Sequence, residues 1–217
     1  MNVAIVLLAG EGKRFKSKRS KNLTLINKKP LFSFVPNVCF ENKNINKTLL
    51  VINKKEKLII EKYFASEIKN NKLMIVYGSD ESRQESLNIG MNYLSSTLKP
   101  SDVIVTLDGD RIFVTNDLIN KSITVAKKYK CANTIINLND SIIKNLDKVV
   151  YLNRDNVCLV QTPQTFVYKV WKSNQSKGTD LFSSLNLKLK KENMIKGNPL
   201  NFKITFKEDL ELANKLI

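Results

Sequence analysis

The chain has 217 residues, 42% of them apolar and 26% charged, with a formal net charge of +16 and no histidine. This length and apolar share suit one domain with a sizeable buried core and argue against wholesale disorder. Without histidine there can be no Ser-His-Asp or Cys-His nucleophile and no His-ligated zinc, and the longest apolar run, Val3 to Ala9, is far below the ~20 residues of a membrane span.

That run also lacks a preceding basic segment and leads straight into Gly10-Glu11-Gly12, so it reads as a strand and not as a signal peptide. Cys39, Cys131 and Cys158 form no CxxC pair, which fits buried, reduced thiols in the cytoplasm and gives no metal cluster. Lys and Arg number 36, but only five are Arg, and the lysines are spread evenly among many Asn and Ile. The basic balance therefore reads as a compositional bias, with neither nucleic acid nor membrane as a partner. The five arginines (Arg14, Arg19, Arg83, Arg111 and Arg154) carry more information, because Arg is the residue suited to bidentate phosphate contact.

In chain order, Met1 to Ala9 is a nearly continuous apolar strand of the kind buried on both faces of a parallel sheet. A basic, glycine-containing loop follows from Gly10 to Lys21, then a helix from Pro30 to Phe40. Strands are expected at Lys47 to Asn53, Leu73 to Tyr77 and Asp102 to Leu107, with helices at Lys55 to Glu67, at Glu85 to Leu94 and from a Thr115 cap to about Tyr129. This alternation is the βαβ pattern of a Rossmann-like, mostly parallel sheet with helices on both faces. After Cys131 the rhythm changes to short β-like pieces at Ala132 to Leu138, Lys148 to Leu152 and Val157 to Gln161. They read as a β-arm over about 133–162, inserted in a single domain of residues 1–217. A late strand is expected at Phe202 to Thr205 and a closing helix at Lys207 to Ile217. Trp171, Phe32, Phe34 and Phe40 are expected in the core.

Ligands of open α/β sheets bind beyond the carboxyl ends of the strands, and each expected strand end carries a polar loop. The first loop, Leu8-Ala9-Gly10-Glu11-Gly12-Lys13-Arg14-Phe15, fits either an anion cradle or a tight turn that happens to be basic. It is not GxGxxG, because Phe15 stands at the third glycine position, and no GK[ST] follows, so dinucleotide and P-loop readings both weaken. The fourth strand ends in Asp108-Gly109-Asp110-Arg111, where a carboxylate can share Mg²⁺ with substrate phosphates or simply make a turn.

Four segments together resemble the bacterial nucleotidyltransferases that make CDP-polyols, the 2-C-methyl-D-erythritol 4-phosphate and ribitol-5-phosphate cytidylyltransferases. They are the glycine loop with Ser20-Lys21-Asn22, then Gly78 to Ser86 containing Arg83, then Gln161-Thr162-Pro163-Gln164-Thr165-Phe166, and Asn201-Phe202-Lys203-Ile204-Thr205 before Glu208-Asp209-Leu210. The resemblance implies transfer of a cytidylyl group from CTP to a polyol phosphate with Mg²⁺, in a homodimer paired through the β-arm. 2-C-methyl-D-erythritol 4-phosphate is favoured over ribitol 5-phosphate as acceptor, with a non-catalytic nucleotide-binding protein as the other alternative. It implies that Arg14, Lys21, Lys203 and Asp108 serve catalysis, with Asp108 also the metal ligand. Ala9, Gly10, Gly12, Gly78, Arg83 and Ser86 would surround the nucleotide. Arg111, Arg154, Thr162 and Thr179 would meet the acceptor, Arg154 and Thr162 from across the dimer. The chain departs from the family's D-A-A-R-P turn at Asp108-Gly109-Asp110-Arg111-Ile112, where Asp110 either repels a sugar phosphate or adds a metal ligand.

Overall fold

A computed structural model of the chain describes residues 1–10, 12–15, 20–145, 147–173, 181–185 and 187–217. The order of elements begins β1 (Asn2–Leu8), β2 (Leu25–Ile26), β3 (Lys29–Pro30), α1 (Phe34–Glu41), β4 (Lys47–Ile52), α2 (Lys57–Tyr63), α3 (Ala65–Lys69) and β5 (Leu73–Tyr77). It continues with α4 (Arg83–Leu94), β6 (Val103–Asp108), α5 (Asn116–Tyr129), β7 (Cys131–Asn137), β8 (Ile142–Ile143), β9 (Tyr151–Leu152) and β10 (Cys158–Val167). Last come α6 (Tyr168–Ser173), α7 (Leu181–Ser184), β11 (Met194–Lys196) and α8 (Lys207–Leu216).

Seven strands form one sheet in the order β11-β7-β10-β6-β1-β4-β5, and β10 alone runs against the rest. Because β1 is apolar at nearly every position, it feeds two cores. Ala4, Val6 and Leu8 point to one face with Leu50, Ile52, Phe32, Ile60 and Ile119. Val3 and Ile5 point to the other with Leu49, Val51, Leu87, Met91 and Trp171. Helices thus cover both faces, as a parallel sheet requires. The strand ends are in step: Leu8 pairs with Ile52, Ile52 with Tyr77, and Leu7 with Asp108. Beyond those ends a third cluster, Phe15, Ile26, Leu31, Ile112, Ile204 and Ala213, ties the glycine loop, the β2–β3 hairpin, the β6–α5 turn and α8 together. This cluster fixes the loops that build the site.

Several expectations change. The helix expected over Lys55 to Glu67 is two, α2 and α3, broken at Phe64, whose backbone leaves the helical region (φ −105°, ψ 28°). Phe202 to Thr205 is not a strand, although its apolar-polar alternation reads as one. Its backbone is taken by the β6–α5 turn instead, with Ile204 N–H donating to the Asp110 carbonyl at 2.9 Å. The late strand is β11, parallel to β7 at the sheet edge. The polar stretch Gln161 to Phe166 lies within β10 and is buried between β6 and β7. Outside the seven-stranded sheet lie 138–145 and 147–157, where β8 pairs with β9. Cys39 and Cys131 are buried, and burial pushes their thiols up to about 12 and about 11, but Cys158 is exposed at the start of β10, against expectation.

Candidate active site

The strand-end loops converge on a cleft of about 270 Å³. The glycine loop forms one wall through Ala9, Gly10, Gly12 and Arg14. Gly12 takes a left-handed backbone (φ 64°), and a Cβ there would meet the Lys21 Cβ at 3.1 Å, so glycine suits both the turn and the close approach to Lys21. Phe15 is buried in the third cluster and anchors the loop, which leaves Arg14 on the cleft side.

Lys21 is 8% exposed, and its Nζ donates to Asp110 Oδ2 at 2.5 Å and to the Ile204 carbonyl at 2.7 Å. Its neighbours fix the backbone on either side. Ser20 Oγ donates to Glu56 Oε1, Asn22 Nδ2 donates to Glu56 Oε2 at 3.0 Å, and Asn22 Nδ2 also donates to the Leu8 carbonyl at 2.7 Å. Glu56 is itself buried, so a carboxylate from the start of α2 clamps the loop on both flanks of Lys21.

Asp108, at the carboxyl end of β6, collects three cations. Arg83 Nε lies 2.7 Å from its Oδ1, while Arg111 Nε and Lys203 Nζ lie 3.3 and 3.5 Å from its Oδ2. Burial pushes this carboxyl's pKa up, but Arg83, Lys203 and Arg111 together outweigh it and hold the group well below the usual carboxylate range. Asp108 is therefore ionised at any physiological pH.

The opposite wall is the start of α4. Ser82 caps that helix, accepting from Glu85 N–H at 3.0 Å, and Ser79 to Arg83 line the cleft. Ser86 also lines it, but its hydroxyl is spent on the loop, donating to the Ser79 carbonyl at 2.8 Å and accepting from Ser79 N–H at 3.1 Å. Gly78 sits behind this wall against Ala9, Val51 and Ser86.

Of the residues expected for catalysis and nucleotide contact, Arg14, Lys21, Lys203, Asp108, Ala9, Gly10, Gly12, Arg83 and Ser86 thus line one cleft. The residues expected for the acceptor do not. Thr162 is buried behind Asp108, its Oγ1 accepting from Asp108 N–H at 3.1 Å. Arg111 ties Asp108 to the Asn201 carbonyl at 2.9 Å. Arg154 lies just beyond β9, donating to the Asn139 carbonyl at 2.6 Å, beside a separate open hollow lined by Asn137, Leu138, Asn139 and Asp155. Thr179 falls outside the described residues. Among the described residues no group of three acidic or cysteine side chains converges as a preformed metal centre.

Sequence reasoning missed Glu56, Gln164 and Asn201. Gln164 Oε1 accepts from Arg83 Nη2 at 3.4 Å, and Asn201 Nδ2 donates to the Thr162 carbonyl at 2.8 Å, so both brace the Asp108 turn from behind. Their only signal was membership of the Gln161–Phe166 and Asn201–Thr205 motifs. Glu56 had none, because nothing local links it to a loop 34 residues away.

Comparison with known proteins assigns the lineage. The model of the 2-C-methyl-D-erythritol 4-phosphate cytidylyltransferase family matches residues 2–217. The chain belongs to this family. Among curated members of that cytidylyltransferase family, the one from Clostridium tetani is 34% identical, covering 100% of this chain and 90% of its own length. The one from Clostridioides difficile is 30% identical, covering 100% and 94%. The crystal structure of 4-diphosphocytidyl-2C-methyl-D-erythritol synthase from Anaerococcus prevotii superposes with a TM-score of 0.77 at 27% identity, covering 100% of this chain and 95% of that one. The chain is thus a nucleotidyltransferase of the cytidylyltransferase kind, and the cleft lies at the carboxyl ends of its parallel strands, where α/β enzymes bind ligands.

Proposed function

We propose that the cleft binds CTP and transfers its cytidylyl group to 2-C-methyl-D-erythritol 4-phosphate. An oxygen of the acceptor phosphate attacks the α-phosphorus, the bond from that phosphorus to the β-phosphate bridging oxygen breaks, and pyrophosphate leaves. The observation that carries this reading is the gathering of Arg14, Lys21, Arg83 and Lys203 on one cleft at the strand ends. Two anions must be brought together, and fixed cations in a partly desolvated site lower that repulsion in the transition state. The attacking phosphate is already mostly dianionic near neutral pH, its second pKa being ~6, so no histidine base is required.

In this reading Lys21 and Arg14 face the triphosphate, Lys203 faces the reacting phosphates, and the α4 wall with Ala9 and Gly10 receives the nucleoside. Magnesium suits the donor set. Asp108 is an ionised carboxylate lining the cleft at the strand end, and Mg²⁺ usually takes one or two carboxylates plus substrate phosphates. When bound, the ion would neutralise triphosphate charge. Arg154 does not reach this cleft within one chain, which supports its acting through a homodimer, whereas Thr162 is buried against Asp108 of its own chain and is not exposed to a second copy. The β8–β9 segment and the outer half of β10 expose Ile143, Val149, Val150, Tyr151, Leu159 and Val160, an apolar patch suited to a second copy. The free thiols and the use of CTP fit a cytoplasmic enzyme.

The test is pyrophosphate release from CTP and Mg²⁺ with 2-C-methyl-D-erythritol 4-phosphate and ribitol 5-phosphate side by side, on protein whose mass is read by sedimentation. Release with the methylerythritol phosphate from a particle of two chains is expected. Release with ribitol phosphate alone would reassign the acceptor, no release with either would remove the catalytic reading, and a single-chain mass would remove the dimer.

A further inference from the structure

We propose that Asp110 is a positioning residue for Lys21, a role that rests on the transfer reaction proposed above. A protonated lysine carries three N–H donors and no acceptor. Two of the three on Lys21 are taken, by Asp110 Oδ2 at 2.5 Å and the Ile204 carbonyl at 2.7 Å. Lys21 has no third acceptor among the described residues, and it lines the cleft, so its remaining N–H is left for an incoming phosphate oxygen.

The two acceptors do not move independently. Ile204 N–H donates to the Asp110 carbonyl at 2.9 Å, and Ile204 is fully buried in the cluster with Phe15, Leu31 and Ile112. Lys21, Asp110 and Ile204 therefore close a triangle that joins the glycine loop, the β6–α5 turn and the Asn201–Thr205 segment. The Lys21 and Asp110 side chains are 9% and 13% exposed, so water screens the pair little. A free lysine stem samples many rotamers, whereas this one is held.

Asp110 also places a negative charge beside the proposed triphosphate. Position and charge then act in opposite directions on the two kinetic constants. Removing the carboxylate frees the Lys21 ammonium to wander, which lowers kcat, while the less negative site binds CTP as well or better.

The experiment compares Asp110→Ala and Asp110→Asn in the wild-type and Lys21→Ala backgrounds. Asp110→Ala is expected to lower kcat about tenfold or more with no rise in the KM for CTP, since a misplacement of ~1 Å can cost up to 10²-fold. Asp110→Asn keeps an acceptor oxygen and is expected to recover most of the loss. In the Lys21→Ala background both substitutions should change kcat less than about threefold, because the short Lys21 contact is gone and only the longer 3.7 Å approach of Lys203 to Asp110 remains. An unchanged kcat in Asp110→Ala, or the same fold-loss in both backgrounds, overturns the proposal in favour of a structural role. If Asp110→Ala does not fold, Asp110→Leu, similar in size and without an acceptor, carries the same comparison: a loss confined to the background that retains Lys21.

A second readout does not depend on turnover. In protein labelled with ¹⁵N-lysine, the Lys21 ammonium, identified by its loss in Lys21→Arg, should exchange its hydrogens slowly in wild type and Asp110→Asn and fast in Asp110→Ala. Slow exchange persisting in Asp110→Ala overturns the proposal even if wild-type protein transfers no cytidylyl group, an outcome that would separately remove the reaction assigned above.

Discussion

Replacing Lys21 with alanine is expected to lower kcat by about 10²–10³-fold, the usual cost of deleting one preorganised group that meets charge developing in a transition state. The fold should survive. Lys21 lies in a short 3-10 turn (Lys21–Leu23), and the flanking Ser20 and Asn22 remain fastened to Glu56. The deletion leaves Asp110 with Lys203, whose Nζ is 3.7 Å from its Oδ1, so the carboxylate keeps a counter-charge. Steady-state kinetics with CTP varied, together with a thermal melt, separate the two effects. A kcat within tenfold of wild type would place the reacting phosphates away from Lys21.

The second large effect is expected at Asp108, and it concerns stability as well as rate. Asp108→Asn removes the charge that Arg83, Arg111 and Lys203 share while keeping the side chain's shape. Breaking a buried ion pair costs roughly 3–5 kcal/mol, and the partial exposure of Arg83 and Lys203, 26% and 33%, brings the expected loss to about 2–4 kcal/mol at pH 7. The pH dependence has a definite sign. The folded-state pKa of Asp108 lies below its unfolded value of ~3.9, so its contribution is complete above that value and is lost as pH falls toward the folded pKa. Urea unfolding of wild type and variant should therefore give a gap that is constant from about pH 7 to pH 5 and narrows below about pH 4. A gap that does not change with pH would mean the loss comes from packing and not from the charge. Turnover should also fall, because Arg83 and Lys203 lose the shared negative charge, and one of the two acceptor oxygens, that aims them.

Much of this fold was legible because its strands announce themselves. Val3 to Leu8, Leu49 to Ile52 and Val103 to Leu107 are apolar in nearly every position, and only strands buried on both faces can be. Only the first part of the reversed strand, Val157 to Gln161, was legible. Gln161, Thr162, Gln164 and Thr165 are polar yet buried, and hydrogen bonds make that burial tolerable: Thr106 Oγ1 donates to the Gln164 carbonyl at 2.7 Å, and Thr165 Oγ1 donates to Ser122 Oγ at 2.7 Å. Periodicity sees polarity and misses the partner. For the same reason Phe202 to Thr205 mimicked a strand while its backbone served the β6–α5 turn.

At the site, the cations stood out because each follows a strand end or sits in a recognisable motif. What they rest on did not. Glu56, Asp110 and Gln164 reach Asn22, Lys21 and Arg83 across 34, 89 and 81 residues of chain, and no local pattern encodes such pairs. Asp110 in particular reads in sequence as a repulsive or metal-binding carboxylate, and its position against Lys21 came only from the folded loops.

A crystal structure with CTP and Mg²⁺ is the most direct test that the cleft where Arg14, Lys21 and Lys203 meet gathers the reacting phosphates. Triphosphate oxygens within about 3.2 Å of Lys21 Nζ and of the Arg14 guanidinium, with the nucleoside against the Ser79–Arg83 wall, are expected. A triphosphate bound on the lysine-rich surface, with the cleft between Gly12 and Lys203 left to solvent, would contradict it.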